Sequence, residues 1–330
     1  MGIPGGIDKI RSDHTGLFSS TKLGYIAVII AATLEAFRQI LSKAFLVPDT
    51  LDISNLNPIT ISFVIFIVNG IFFTTLARKN HSILQIKKKD LILLIFIGIA
   101  EGSALITYFY GLHDSTAINA SVLNNGEILF SLLIAIIVFR ERLQKMERLP
   151  FSMITVGMIA LPVGYDIYSN GLMMTKLVLG DILLLTAGLF WALDINMSKY
   201  VSERIGSQRI TQLASFMAAG FALGLILALQ IKLDINPLQI PPIAIIGVVS
   251  IGLSTALFVT GLKLIGAVRT ILIYSINSAF GVVFSVIFLH ETISITNVIS
   301  VSTAFVGLYL LRNRLVGIKQ SATHEIKEHD

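Results

Sequence analysis

Apolar residues fill ten stretches of this chain, roughly 23–47, 57–77, 91–112, 117–139, 149–168, 177–200, 210–230, 241–262, 268–290 and 292–312. Most are about 20 residues long, and at about 1.5 Å rise per residue a helix of that length crosses a hydrocarbon core about 30 Å thick. A helix also satisfies its own backbone hydrogen bonds, which lipid cannot do. The pattern predicts an all-α integral membrane protein with ten transmembrane helices. The connections are short and polar, so no soluble domain fits between them. Residues 1–22 and 313–330 are expected to be terminal tails, the first short and poorly ordered.

The chain repeats itself. Shifted by 156 residues, the first stretch lies on the sixth, with Gly24 on Gly180, Ala31 on Ala187, Ala36 on Ala192 and Ser42-Lys43 on Ser198-Lys199. Shifted by 150, the third to fifth lie on the eighth to tenth. Gly102 then meets Gly252, Gly111-Leu112 meets Gly261-Leu262, Phe130 meets Phe280, and Glu141 meets Glu291. Two five-helix units, 23–168 and 177–312, follow. Because five is odd, the units enter the membrane in opposite senses, as inverted repeats. Gly98 and Gly102, like Gly220 and Gly224, are spaced for close helix packing. Ordinary internal packing is the plain reading of these glycines, and a homodimer contact is the alternative.

Polar residues interrupt the apolar pattern at one depth. Glu35 sits at the middle of the first stretch, with Arg38 one turn later on the same face. Glu101 and Glu127 fall near the middle of the third and fourth. A charge at the bilayer centre costs roughly 2.5–3.5 kcal/mol on insertion scales. Four unpaired charges would approach the whole stability of a protein. They must therefore face an interior or a water-filled cavity. Asn124 and Asn125 accompany Glu127, while Trp191 and Asp194 lie in the sixth stretch. Tyr274 and Asn277 lie in the ninth, with Asn277 equivalent by repeat to Glu127. Each residue keeps a plainer alternative. Glu35 and Arg38 suit a static ion pair as well as a binding site, and Glu101 suits hydrogen-bonded packing. Asp194 suits an interface charge, and Trp191 suits the core. Lys43 and Lys199 are expected to extend to opposite surfaces.

Composition agrees with the pattern. The chain is 54% hydrophobic and 14% charged, against about 25% charged for a soluble domain. Its net charge of +5 is explained by placement, since 21 of the 25 Lys and Arg fall in the tails and in alternate loops. That bias puts both termini on the cytoplasmic side of the cell membrane. It also reads Lys87-Lys88-Lys89 as a cluster facing anionic lipid, with no nucleic-acid partner. The absence of cysteine removes disulfides and thiolate chemistry. No phosphate loop, zinc-protease or serine-hydrolase motif occurs, so no cofactor, metal or catalytic residue is expected.

The stretch GDILLLTAGLFWALDINMSKY (180–200), with LLIAIIVFRERL (132–143) and VFSVIFLHETI (283–293), resembles the drug/metabolite transporter superfamily. Within it the chain looks like proteins with two EamA-type domains. The resemblance covers residues 20–315. It departs from the family at Asn124-Asn125-Gly126-Glu127, where such domains often carry a proline amid small residues. It implies a secondary active transporter of a small metabolite, such as an amino acid, working by alternating access and exporting in exchange for protons. It also implies a cavity lined by the first, third, fourth, sixth, eighth and ninth helices. Glu35 is similar in helix and depth to the embedded glutamate of small multidrug exporters, so a multidrug or cation exporter is one alternative. An intramembrane enzyme acting on a lipid-linked substrate is another. A membrane scaffold or receptor is a third.

Overall fold

The computed structural model describes residues 7–46, 56–77, 86–138, 145–160, 168–169, 176–233, 235 and 237–310. Its described elements are helices: α1 (Ile7–Leu46), α2 (Pro58–Leu76), α3 (Lys88–Asp114), α4 (Ala117–Leu123) and α5 (Gly126–Ile137). Then follow α6 (Lys145–Thr155), running into a π-helical turn at Val156–Ala160, α7 (Lys176–Ile205) and α8 (Ser207–Ala228). The last are α9 (Pro237–Ile265), α10 (Ala267–Tyr274), α11 (Asn277–Leu289) and α12 (Ile295–Leu310). Among the described residues, eight segments are long and apolar enough to cross a membrane, on the first four and the sixth to ninth apolar stretches. The fifth and tenth stretches carry the shorter α6 and α12.

Local chemistry explains the boundaries. Asn57 caps α2 by accepting from the Ile59 N–H at 2.8 Å, with Pro58 fixing the first turn. Thr116 caps α4 through the Asn119 N–H at 3.0 Å. At the amino end, α1 is helical from Ile7 rather than from Leu23, a departure from the expected disordered tail. No proline lies between those positions, and Gly16 alone does not stop a helix. The expected tail at 313–330 lies outside the described residues.

The outside of the bundle is oily. Leu23, Ile26, Ile29 and Ile30 of α1 and Ile92, Ile95 and Phe96 of α3 are exposed. Such contiguous apolar surface belongs against lipid tails, so the chain is a multi-pass membrane protein. Inside, Ile40, Phe66, Leu105, Tyr108, Leu123 and Leu184 belong to the main core. Gly98 and Gly102 are packed internally: a Cβ there would meet Met217 at 2.4 Å and Phe221 at 2.9 Å. Gly220 and Gly224 have nothing within 4 Å of theirs.

The contacts come in exchangeable pairs. α3 packs along α7, and α1 along α9; α8 packs on α3, and α9 on α2; α5 packs on α7, and α11 on α1. Exchanging helices by the sequence repeat turns each member of a pair into the other. α2 against α8 and α4 against α11 lie between the two units.

Two helices are interrupted within one residue of the same repeat position. The fourth apolar stretch breaks between α4 and α5 at Asn124-Asn125, and the ninth between α10 and α11 at Ser275-Ile276. At both breaks the ladder tightens to three-residue bonds, Asn125 N–H to Val122 O at 3.4 Å and Ile276 N–H to Ile273 O at 3.1 Å. Gly188 of α7 permits the first break its place, because a Cβ there would lie 3.2 Å from the Glu127 nitrogen.

Candidate functional site

The centre of the bundle gathers around Arg38. Its Nε and Nη2 donate to Glu35 Oε1 at 2.8 and 2.5 Å, and Nη2 also reaches Asn124 Oδ1 at 3.4 Å. The guanidinium carbon lies 4.4 Å from the centre of the Tyr108 ring and 5.3 Å from the Trp191 ring. These two rings meet at 5.4 Å. Arg38 is 3% exposed and Glu35 9%. Removing one partner of so buried a pair costs about 3–5 kcal/mol, whereas removing both is often close to neutral.

The breaks adjoin this cluster. Asn125 donates through Nδ2 to Ser278 Oγ, and the Ser278 hydroxyl reaches Asn277 Oδ1 at 3.3 Å. The two interrupted helices are thus tied to each other at their repeat-equivalent kinks. A cleft lined by Asn125, Ser275, Ser278 and Phe305 runs beside the junction. Tyr274 closes the α9 side, with its hydroxyl 3.5 Å from Ser254 Oγ and its ring 4.7 Å from Phe258. Ser254 in turn donates to Ala31 O of α1 at 2.9 Å.

Three further acids stand near. Glu127 opens α5, within electrostatic range of Glu35, Arg38 and Asp194. Glu101 of α3 and Asp194 of α7 feel each other's charge. All three are half-buried and, among the described residues, none forms an ion pair. Asp194 accepts a hydroxyl, from Ser198 at 3.0 Å. The sequence candidates therefore fall into a contact group (Glu35, Arg38, Asn124, Trp191), a junction group (Asn125, Asn277) and a set of acids around them. Tyr274 lies within range of Glu35, Glu127 and Arg38. Glu101 lies apart from the Arg38 cluster and joins through Asp194.

Sequence reasoning undervalued three residues. Tyr108 is the aromatic floor beneath Arg38. Ser278 bridges the breaks. Gln39 accepts from Ser121 Oγ of α4. Its position next to Arg38 was the available signal.

A second polar group seals the end of the bundle where α1 finishes. Lys43 does not extend into solvent; it donates to Leu112 O at 2.6 Å and to Ser115 O, at the carboxyl end of α3. Its ammonium satisfies carbonyls that the helix end leaves free. Glu291 accepts the Ala117 and Ile118 N–H groups at 2.8 and 2.9 Å, capping α4. Asp181 of α7 accepts from Ser115 Oγ and, at 3.2 Å, from Asn119 Nδ2, while Asn297 donates to Asn119 Oδ1 at 3.3 Å.

The family model of the EamA-like transporter family matches residues 22–161 and again 178–313. A protein of Methanothermobacter thermautotrophicus (strain Delta H), described as an uncharacterized transporter, is 30% identical over 324 residues, covering 94% of this chain and 92% of that protein. One solved crystal structure superposes with a TM-score of 0.58 at 17% identity, covering 88% of this chain and 95% of the other. That likeness speaks to fold.

Proposed function

As the chain belongs to the EamA-like transporter family, we propose that it is a secondary active transporter that moves a small polar or amphipathic metabolite across the cell membrane by alternating access. Family and relative both point to a transporter rather than an enzyme. The two units act as inverted five-helix repeats in ten crossings, with both termini cytoplasmic. The exchangeable helix pairing and the two equivalent breaks support that topology. Rocking of one unit against the other then exposes the central cluster to either face.

The single observation that carries this reading is the set of half-buried acids Glu101, Glu127 and Asp194, with no counter-ion among the described residues, around the Glu35–Arg38 pair. Unpaired carboxylates inside a membrane bundle are costly, and they persist where protons or charged solute occupy them in turn. Glu127 stands closest to both pair and junction, so it takes the coupling proton. Glu101 and Asp194 carry protons between it and the cytoplasmic side. Asn124, Asn125, Trp191, Tyr274 and Asn277 line the solute's path. Export in exchange for protons is the direction proposed.

Reconstitution in proteoliposomes with an imposed pH gradient tests this. Glu127→Gln keeps the shape of the side chain and loses the proton. It is expected to abolish proton-driven flux while helix content by circular dichroism stays at the wild-type level. Unchanged pH-dependent flux in that variant would remove Glu127 from the mechanism.

A further inference from the structure

We propose that Arg38 occupies, in this conformation, the subsite of an organic cation. A solute bearing a guanidinium or substituted ammonium group displaces the Arg38 guanidinium from Glu35 and from the ring faces of Tyr108 and Trp191. This rests on the transporter reading above and deepens it by naming the charge of the solute.

The walls of the cage state the chemistry. Two aromatic faces at 4.4 and 5.3 Å and one carboxylate at 2.5 Å surround a delocalised cation. That combination holds organic cations with apolar skin. A hard metal ion needs a shell of oxygens, which aromatic walls do not supply. The charge balance points the same way. Glu35 pairs the guanidinium and Glu127 stands within electrostatic range of both, so an arriving cation meets carboxylates that would repel an arriving anion.

Arg38 is moreover an imperfect tenant. Its Nη1 is buried without a hydrogen-bond partner, and so is the Tyr108 hydroxyl. An unpaired buried donor weakens the state that contains it. A substituted ammonium brings fewer donors to satisfy than the fork of a guanidinium. A guanidinium solute, unlike a tethered one, is free to turn its spare N–H toward the Tyr108 oxygen. Arg38 also has somewhere to go. Its Nη2 is already 3.4 Å from Asn124 Oδ1, and Glu127 stands three residues further along in the first turn of α5. Displacement therefore moves a positive charge onto the α4–α5 break, the kink that Asn125 ties to α11. Occupancy of the cage is reported to both units by the residue that leaves it.

Trp191 is the only tryptophan of the chain, so its emission reports the cage alone. The full-length protein in detergent is titrated with benzamidinium and benzyltrimethylammonium, and separately with neutral benzamide and with benzoate. Both cations are expected to change Trp191 emission saturably, while benzamide and benzoate leave it unaltered. Arg38→Gln is expected to tighten both cations about tenfold, the gain from vacating a cage that its tenant fills about nine-tenths of the time. Arg38→Lys, which keeps Glu35 paired should the first variant fail to fold, is expected to give a smaller gain, because an ammonium holds the ring faces less well. Glu35→Gln in the Arg38→Gln background is expected to lose the response.

Cations bound no tighter by either Arg38 variant would overturn the proposal. So would benzoate binding that disappears with Arg38→Gln, since it would make Arg38 a carboxylate anchor. Failure of the two readings is separable. The full cation pattern without any flux in proteoliposomes removes transport and leaves the cage. Flux of a neutral or anionic solute with no cation response at Trp191 removes the cage and leaves transport.

Discussion

The bundle contains the same helix crossing twice, once at each end, built from different material. By the internal repeat Gly24 corresponds to Gly180 and Gly111 to Gly261. Where α3 crosses α7, backbone touches backbone: a Cβ on Gly180 would lie 2.6 Å from the Ser115 nitrogen and 2.9 Å from Gly111 O. Where α1 crosses α9, side chains fill the gap. A Cβ on Gly24 would meet Ile265 Cγ2 at 2.6 Å and Leu264 Cβ at 2.9 Å. The surroundings differ in kind as well. Asp181, Ser115 and Asn119 hydrogen-bond beside the first crossing, where the repeat places Tyr25, Ile265 and Arg269 beside the second. One end is closed by backbone contact and buried polar bonds, the other by side chains that repack. Under the proposed alternating access, opening is expected first at the end where side chains yield.

The crossing itself offers the largest effect. Gly180→Val drives a branched side chain into the backbone of 111–115, which cannot rotate away. Overpacking of this kind costs about 1–3 kcal/mol, and rigid neighbours put it at the upper end. Gly24→Val meets Ile265 Cγ2, which rotation about χ1 can move, and Leu264 Cβ, which yields only with its helix, and is expected to cost less than Gly180→Val. Thermal melts of both variants in detergent decide. A Gly24→Val protein melting as low as Gly180→Val would show the two crossings to be equally rigid.

Next in size is Asp181→Ala. Asp181 is fully buried, and its loss leaves the Ser115 hydroxyl short of an acceptor and takes one from Asn119 Nδ2. Each group left wanting costs about 1–3 kcal/mol in the closed state only, because opening would hydrate it. The population shifts toward opening at this end. The chain has no cysteine, so Ser121→Cys, buried just below the seal, supplies a clean probe. Labelling of that thiol by a polar maleimide is expected to rise at least about tenfold in the Asp181→Ala background. An unchanged rate would mean that the polar bonds do not hold this end shut.

Much of this was written plainly in the sequence, for a physical reason. Lipid forces every crossing to be a long apolar helix, so the runs mark the helices whatever packs where. The Glu35–Arg38 contact was legible too, because residues three apart share a helix face. The first break carried a turn signal in Asn124-Asn125-Gly126. Its counterpart at Tyr274-Ser275-Ile276 carried none, and only the repeat relates it to the first. What stayed hidden depends on neighbours distant in the chain. Tyr108 becomes a cation platform only when α3 lies against α1 and α7. Lys43 looked bound for the surface, since nothing in a sequence shows that the carbonyls of 112–115 will end beside it. Asp181 drew no notice because an acid near a helix end is ordinary until its partners, Ser115 and Asn119, are known.

The smallest effect belongs to the ion pair at the side-chain-closed end, where Arg204 Nη2 meets Asp90 Oδ1 at 2.7 Å. The distance is as short as those in the polar seal, but the setting differs. The Arg204 side chain is 56% exposed, so water competes for its charge and salt screens it. Asp90 also sits in the first turn of α3, where the helix terminus itself favours a negative charge. Asp90 is itself buried, so losing the arginine leaves its carboxylate to the N–H groups of the helix end. Arg204→Ala is expected to cost below about 1 kcal/mol, with the difference from wild type shrinking further as ionic strength rises. Melts at low and high salt measure it. A loss equal to that of Asp181→Ala, and indifferent to salt, would mean that this end is clasped as firmly as the other, and the contrast between them would fall.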